Sequence, residues 1–275
     1  MAVSPLHKPV LASGMQIVEG VDAACATSVG PRHENQDRCA LGPGLAVVSD
    51  GVGGHAGGSR AAQLTVDTVL GLLTGLADPP GPAELAAAVS RANDAVRAGR
   101  HADPEVASMG ATVIVAAAEG PDPLATDPGE RAGAGRWLVA HVGDSPGWLV
   151  GAAGAFRLTH DHTLAAELVR SGALAAEAAD MHPGRHMLVR AIGSEAQVEP
   201  DLVRVELGPG DALVLASDGL SDVLDGEAIR QVVAATATAE EAARALVEAS
   251  LAAGTRDNVT TVVVRRLASS PGGVA

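Results

Sequence analysis

Short runs of valine and alanine, several in direct succession, most limit how this 275-residue chain can fold. Each run has the length of a β-strand and is bounded by glycine, proline or aspartate. Parallel strands need a crossover, usually a helix, whereas antiparallel strands can follow one another directly. The order therefore predicts antiparallel sheets with helices packed outside, an α+β fold. The predicted strands are Val21–Ser28, Arg38–Leu41, Leu45–Ser49, Thr112–Ala118, Trp137–Val142, Gly147–Val150, Leu202–Glu206, Ala212–Ala216 and Val259–Arg266.

Helical spacing of apolar residues marks a second set of segments. In the last of them Ala242, Leu246, Ala249 and Ala253 recur on one helical face. These helices would supply the layers that cover the sheets. The predicted helices are Ser59–Leu76, Glu84–Arg97, Thr163–Arg170, Gly226–Ala235 and Ala239–Ala253.

Composition removes several functional classes. Aromatic residues make up 1% of the chain, so a stacking platform for single-stranded nucleic acid is excluded. The formal charge of −14 repels phosphate backbones and anionic lipids, and no apolar run reaches the length of a membrane span. We therefore expect neither nucleic-acid binding nor membrane insertion. Lys8 is the only lysine and lies in a polar segment, which excludes P-loop enzymes and protein kinases.

A single domain is predicted between two tails. Residues 1–13 and 268–275 are expected to be tails, and residues 14–267 the domain. The Pro- and Gly-rich segment 119–136 is predicted to be a long hairpin loop inserted between two strands. The two cysteines do not make a disulfide framework, and the N-terminus lacks the apolar run of a signal peptide. A cytoplasmic protein is the expectation.

Aspartates stand at the ends of apolar strands. Asp50, Asp144 and Asp218 each follow such a run, and Asp257 comes directly before one. In antiparallel pairing the end of one strand lies beside the start of its neighbour, so the four can converge on one edge. For any one of them, an ordinary Asp-Gly turn is the simpler interpretation. All four together favour a common site.

Clustered carboxylates predict a cation. They repel one another and raise each other's pKa, and a divalent cation removes that penalty. An all-oxygen ligand set without a Cys or His cluster suits Mg²⁺ or Mn²⁺, with Ca²⁺ less suited to catalysis. The Gly51 carbonyl can also approach an ion, since this residue has no side chain.

Two residues of the loop after the first predicted strand suggest a reaction. Arg32 can grip the free oxygens of a phosphate with its guanidinium fork, and Asp37 can add a fifth carboxylate directly or through water. Two metals would lower the pKa of a bridging water and direct it at phosphorus. The combination predicts metal-assisted phosphomonoester hydrolysis without a covalent enzyme intermediate.

Eight segments in order resemble the metal-dependent type 2C (PPM) protein serine/threonine phosphatases in their bacterial form. The resemblance extends from Gln16 to Leu267. Each segment alone is a weak signal, but the order and spacing of the set are specific. The segments are SVGPRHENQD, VVSDGVGGHAGG, SMGATVIV, HVGDS, LTHDHT, LVRAIGS, ASDGLSD and RDNVTTVVV.

The resemblance implies a four-layer αββα sandwich, two Mn²⁺ or Mg²⁺ ions with a third possible, and phosphoserine or phosphothreonine proteins as substrates. It places a flap beside the site at Ala173–Met187. A monomer is expected. The implied roles in chain order are phosphate binding for Arg32, water-mediated metal contact for Asp37, bridging of both metals for Asp50, carbonyl ligation by Gly51, a third metal site on Asp144 with Asp218, and the second core metal on Asp218 and Asp257.

Some positions depart from the family pattern or have simpler interpretations. Val52 stands where eukaryotic members carry a histidine proposed as general acid, and Pro146 stands where arginine is common, which puts the third metal site in question. Asn258 is expected to orient Asp257. In THDHT, Asp161 is expected to cap the next helix or to support the site, and His162 to be a surface or packing group.

Two other functions compete with an active phosphatase. A phosphatase-like module could bind phosphoproteins with little or no turnover, although every implied metal ligand is present. A haloacid-dehalogenase-like phosphatase would need a second aspartate two residues after the first and a lysine in the site. Asp50 is followed by Gly51 and Val52, and Lys8 lies far away in the sequence.

Overall fold

The computed structural model describes residues 10–53, 56–120 and 135–268. Its strands are β1 (Val10–Val18), β2 (Val21–Ser28), β3 (Arg38–Gly42), β4 (Leu45–Ser49), β5 (Gly51–Val52), β6 (Gly110–Ala111), β7 (Val113–Ala118), β8 (Arg136–Val142), β9 (Gly147–Gly151), β10 (Gly154–Arg157), β11 (Asp201–Glu206), β12 (Ala212–Ala216) and β13 (Val259–Arg266). Its α-helices are α1 (Ala56–Thr74), α2 (Pro82–Ala102), α3 (Leu164–Arg170), α4 (Asp218–Ser221), α5 (Gly226–Ala234) and α6 (Ala239–Ala253).

Two antiparallel sheets form the centre of the molecule. One has the strand order β1-β2-β13-β12-β9-β10 and the other β11-β8-β7-β4-β3, while β5 and β6 pair as a short ribbon. All of these strand pairs are antiparallel. The α+β class expected from the succession of strands is confirmed.

Three apolar layers hold the sheets and helices together. Helices α1 and α2 cover the five-stranded sheet, the two sheets face each other, and α5 and α6 cover the six-stranded sheet. Strand alternation assigns neighbouring residues to different layers: Val47 faces α1 and α2, whereas Val48 faces the other sheet. Likewise Val262 lies between the sheets and Val263 lies against α6. The αββα sandwich is therefore confirmed.

The core consists almost wholly of aliphatic side chains, as the composition requires. Trp137 is the large exception, and it is fully buried between the sheets. Small residues let the two sheets approach, since sheet faces pack about 10 Å apart.

Local signals set the ends of the last long helix. Thr238 and Glu241 form a capping box at the start of α6, and Gly254 ends it with a φ of 87°. This helix matches the predicted range, and it fixes the segment that leads into Asp257 and β13.

The domain boundary at the N-terminus differs from the expectation. Strand β1 begins at Val10, inside the segment 1–13 that was expected to be a tail, because it pairs with β2. The pairing of β1 with β2 has two register shifts. Strands β7 and β8 on either side of the segment 119–136 pair with each other, and Glu119 donates its backbone N–H to the Arg136 carbonyl at 2.9 Å. Residues 121–134 of that loop and 269–275 of the C-terminal tail lie outside the described residues.

Among the described residues, no helix is both long and apolar enough to cross a bilayer.

Candidate active site

An open pocket of about 840 Å³ lies at the sheet edge where the acidic strand ends meet. The predicted convergence of the four aspartates is observed here. Asp37 lies beneath the pocket and is buried. The lining residues named from the sequence are Arg32, Asp50, Gly51, Asp144, Asp218, Asp257 and Asn258.

Strand pairing brings Asp218 and Asp257 together. Ala216 near the end of β12 pairs with Thr261 near the start of β13, so the residues just beyond them are neighbours. Antiparallel register thus joins positions about forty residues apart in the chain.

Thr112 joins the other two acidic strand ends. Its hydroxyl accepts the Asp50 backbone N–H at 2.9 Å, and its own N–H donates to the Asp50 carbonyl at 2.8 Å. The same hydroxyl lies 2.6 Å from that of Ser145, the residue after Asp144. A buried threonine therefore fixes the Asp50 and Asp144 loops relative to each other.

The glycines after two of these aspartates allow close packing and do not serve as turn residues. Neither Gly51 nor Gly219 has a positive φ. A Cβ on Gly51 would lie 2.1 Å from the Gly58 carbonyl oxygen, and one on Gly219 would lie 2.0 Å from the Asn258 carbonyl oxygen. The simple Asp-Gly turn is thus wrong at both positions.

Asp37 is held from below by one serine. Ser217 donates its hydroxyl proton to Asp37 Oδ2 at 2.7 Å and accepts the Thr260 backbone N–H at 3.0 Å. The other carboxylate oxygen, Oδ1, is buried and has no hydrogen-bond partner among the described residues. Burial raises the pKa of Asp37 from 3.8 to about 6, against hydrogen bonds that lower it.

The remaining carboxylates show the electrostatic cost of the cluster. Burial first and the neighbouring aspartates second hold the pKa values of Asp50 and Asp218 well above their usual range. Burial also raises the pKa of Asp144 to about 7. Groups that repel one another this way are stabilised by a divalent cation or by protons. Buried oxygens without partners and an all-carboxylate set fit a hard cation.

Asp144, Asp218 and His186 form a compact group. One potential ligand atom from each lies within 4.8 Å of the others. His186 Nδ1 is 3.7 Å from Asp218 Oδ2, and its Nε2 is 3.8 Å from Asp222 Oδ2. Pro146, expected to disturb this region, lies past the loop, where its carbonyl accepts the Ala216 N–H at 3.0 Å.

Arg32 lies at the mouth of the pocket and is paired with an aspartate. Its Nη2 lies 2.6 Å from Asp257 Oδ2, and its Nε donates to the Arg256 carbonyl at 2.9 Å. The Arg32 side chain is 55% exposed, so an incoming anion can reach it. To grip a phosphate, the guanidinium would exchange a carboxylate partner for phosphate oxygens.

Asn258 acts differently from the expectation that it orients Asp257. Its side-chain amide donates to the carbonyls of Val29 and Glu34, both at 2.9 Å, and its Oδ1 accepts the Gln36 backbone N–H at 2.8 Å. Only its backbone N–H contacts the Asp257 carboxylate, at 2.7 Å. Asn258 therefore fixes the loop that carries Arg32 and Asp37.

In the THDHT segment the helix cap is not Asp161, and His162 is buried as expected of a packing group. Thr163 caps α3 by accepting the Ala166 N–H, whereas Asp161 pairs with Arg157. His162 is buried and contacts the loop before Asp144.

Sequence reasoning missed several residues that build the site. Thr112 and Ser217 lie in segments that carried the family resemblance, SMGATVIV and ASDGLSD, and Ser217 stands directly before Asp218, which was an available signal. Asp222 also lies in ASDGLSD, but His186 had no local signal, because its proximity to the pocket depends on how the segment after α3 folds back.

The fold and site define a class: αββα sandwich proteins with an acidic, metal-binding edge. The family model described as Protein phosphatase 2C matches residues 32–253. The chain belongs to this family.

Relatives agree with that placement. Serine/threonine protein phosphatase PstP of Mycobacterium tuberculosis is 35% identical over 235 residues, which cover 84% of this chain and 42% of PstP. The chain thus spans about two fifths of that relative's length. Serine/threonine phosphatase stp of Listeria monocytogenes is 28% identical over 244 residues, 86% of this chain and 91% of stp. The crystal structure of the PstP catalytic domain with two manganese ions is 31% identical, covers 90% of this chain and 98% of that one, and has a TM-score of 0.75.

Proposed function

We propose that the protein is a metal-dependent serine/threonine protein phosphatase that hydrolyses phosphoserine and phosphothreonine in other proteins. The observation that carries the proposal is the meeting of several buried carboxylates, with oxygens lacking partners, beside an accessible arginine in one open pocket. Membership of the Protein phosphatase 2C family and the relatives named as serine/threonine phosphatases support it.

The proposed cofactors are two Mn²⁺ or Mg²⁺ ions, with a third possible. Asp50, the Gly51 carbonyl, Asp218 and Asp257 would hold the two core ions, and Asp144 with Asp218 the third. When bound, such ions lower the pKa of a water and turn it into a nucleophile at neutral pH. The structure of the PstP catalytic domain with two manganese ions supports the two core ions.

The protein's own groups position the substrate and the carboxylates. Arg32 binds the phosphate oxygens at the mouth of the pocket, where its side chain is exposed. Asp37 stays beneath the pocket, held by Ser217. The Asn258 bonds keep both residues on one fixed loop. The substrate phosphate therefore meets a preformed loop.

The partners proposed are phosphorylated proteins that bacterial serine/threonine kinases modify, or the kinases themselves. We also propose that the protein acts as a cytoplasmic monomer.

Hydrolysis of a phosphothreonine peptide and of p-nitrophenyl phosphate tests the function. We expect turnover with Mn²⁺ and none with EDTA, since the carboxylates alone supply no nucleophile. Folded protein that binds the phosphopeptide without metal-dependent turnover would instead support the phosphoprotein-binding module.

A further inference from the structure

His162 occupies a junction between three parts of the molecule. It is 7% exposed and follows β10 in the chain. Its Nδ1 accepts the Gly143 backbone N–H at 3.0 Å, and its own N–H donates to the Gly143 carbonyl at 2.8 Å. His162 therefore holds both polar groups of the residue directly before Asp144.

The backbone conformation and the packing of Gly143 also restrict its position. Its φ is 110°, a conformation that other residues rarely adopt. A Cβ at this position would lie 2.6 Å from Thr112 Cγ2. The loop that carries Asp144 is thus packed between Thr112 and His162.

The opposite edge of the imidazole faces a carboxylate. His162 Nε2 lies 3.2 Å from Asp201 Oδ2, without hydrogen-bond geometry, and no described residue forms a hydrogen bond with it. Asp201 is in turn paired with Arg190, whose Nη1 donates to Oδ1 at 2.6 Å. Since a backbone N–H always donates, Nδ1 must be the acceptor and the ring proton must lie on Nε2, facing Asp201.

A second buried histidine packs against the His162 ring. His141 is buried, and its ring centroid lies 4.8 Å from that of His162. Burial lowers the pKa of His141 to about 3 and also lowers the pKa of His162. Both rings are therefore neutral near pH 7, as the acceptor at Nδ1 requires.

The same residue reaches the end of the flap segment. The His162 carbonyl accepts the Val189 N–H at 2.8 Å, and Thr163 bridges to Leu188. The chain that returns from the flap segment to the core is thus anchored at His162, the residue that contacts Gly143, and at the next residue, Thr163.

We propose that His162 is a positioning residue for the metal-binding loop: oriented by Asp201, it fixes the Gly143 backbone and thereby the Asp144 carboxylate. The inference rests on the proposed phosphatase function. It assigns the second histidine of THDHT a role in presenting a cation ligand. Partners that orient metal ligands in this way are worth roughly 10- to 100-fold in affinity or activity.

The test compares His162→Leu with His162→Asn. Leucine keeps bulk but removes the acceptor, whereas the asparagine Oδ1 can take the place of Nδ1. Asp144→Asn should abolish one Mn²⁺ binding step, and we expect His162→Leu to weaken that same step by about tenfold. We also expect His162→Leu to lower kcat by about tenfold, with little change in KM for p-nitrophenyl phosphate. His162→Asn should recover most of both. His160→Asn, two residues away and exposed, is the matched control and should behave as wild type.

Asp201→Asn supplies a second arm if the leucine variant does not fold. An amide facing Nε2 can donate, which favours the proton on Nδ1 and opposes the Gly143 N–H. We expect weaker binding in the same Mn²⁺ step. The inference is overturned if Asp201→Asn or folded His162→Leu has wild-type Mn²⁺ binding and kcat, if the asparagine variant does not recover, or if no Asp144-dependent step exists. Loss of all turnover in wild type would contradict the proposed function alone, because calorimetry still reads the Mn²⁺ step.

Discussion

The two ends of the acidic pocket are built differently. The loop end consists of Arg32, Asp37, Asp257 and Asn258, and its polar groups are tied by short hydrogen bonds to the backbone and to Ser217. The flap end consists of Asp144, His186, Asp218 and Asp222. The contacts of His186 with Asp218 and Asp222 are 3.7 and 3.8 Å long. Asp218 Oδ1 is buried without a hydrogen bond to any described residue, as Asp37 Oδ1 is at the loop end.

That difference concerns what holds each end in place. The loop end is fixed by the protein alone, which suits the binding of a substrate phosphate. The flap end gathers carboxylates that protein groups do not neutralise, so its geometry depends on cations. Changes at the flap end should therefore act through metal binding, and a change of Arg32 at the loop end through substrate binding.

Removing a carboxylate from the flap end should have the largest effect. We expect Asp218→Asn to weaken Mn²⁺ binding and to lower kcat by about 100-fold or more, since even an outer partner of a ligand is worth roughly 10- to 100-fold. In EDTA the same variant should unfold at a higher temperature than wild type, because a repelling buried charge is gone.

Calorimetry with Mn²⁺ and thermal unfolding in EDTA measure both effects. Asp94→Asn on an exposed face of α2 is the control and should change neither. Unchanged Mn²⁺ affinity in folded Asp218→Asn would remove Asp218 from the metal site.

At the loop end, Arg32→Ala should act on the substrate. A charge-assisted hydrogen bond is worth about 1.5 to 3 kcal/mol, so we expect KM to rise roughly tenfold or more while Mn²⁺ affinity stays near wild type. Steady-state kinetics on p-nitrophenyl phosphate measure this, with exposed Arg91→Ala as control. A wild-type KM in Arg32→Ala would show that the phosphate binds elsewhere.

The pH dependence of stability should separate the metal-free from the metal-loaded protein. The folded-state pKa of Asp37 is about 6 and that of Asp144 about 7, both above the ordinary 3.8. The folded metal-free protein then holds more protons than the unfolded chain between those values, so its stability falls as pH rises from about 4 to about 7.

Bound Mn²⁺ should flatten that slope, because the carboxylates are then charged throughout. Thermal unfolding at several pH values, with EDTA and with Mn²⁺, measures the difference. A metal-free protein that gains stability over this range would contradict the proposed repulsion at the acidic edge.

The smallest effect is expected for His186→Ala. His186 is 43% exposed and its contacts are long, so they are worth about 0.2 to 1 kcal/mol, a change of up to roughly fivefold. We expect this loss in the weakest Mn²⁺ binding step and none in KM. His160→Ala is the control. An increase in KM without a change in Mn²⁺ binding would move His186 from the flap end's metal group to the substrate site.

Much of the fold could be predicted because its signals are local. Val21–Ser28 and Leu45–Ser49 match their predicted strands, since a short run rich in valine and alanine and its flanking turn residues are local features of the sequence. Helix α6 matches for the same reason. Strand β1 was missed because its formation depends on pairing with β2, not on its own sequence.

In the candidate site, too, the features with local sequence signals could be predicted and those that depend on packing could not. The sequence by itself determined which aspartates end apolar strands, and antiparallel pairing made their convergence predictable. Only the tertiary structure decided what supports them: Ser217 meets Asp37 across 180 positions, and Thr112 meets Ser49 across 63. His162 reaches Gly143 across 19 positions. Such contacts depend on how two sheets and a returning segment pack, and packing is a property of the whole chain.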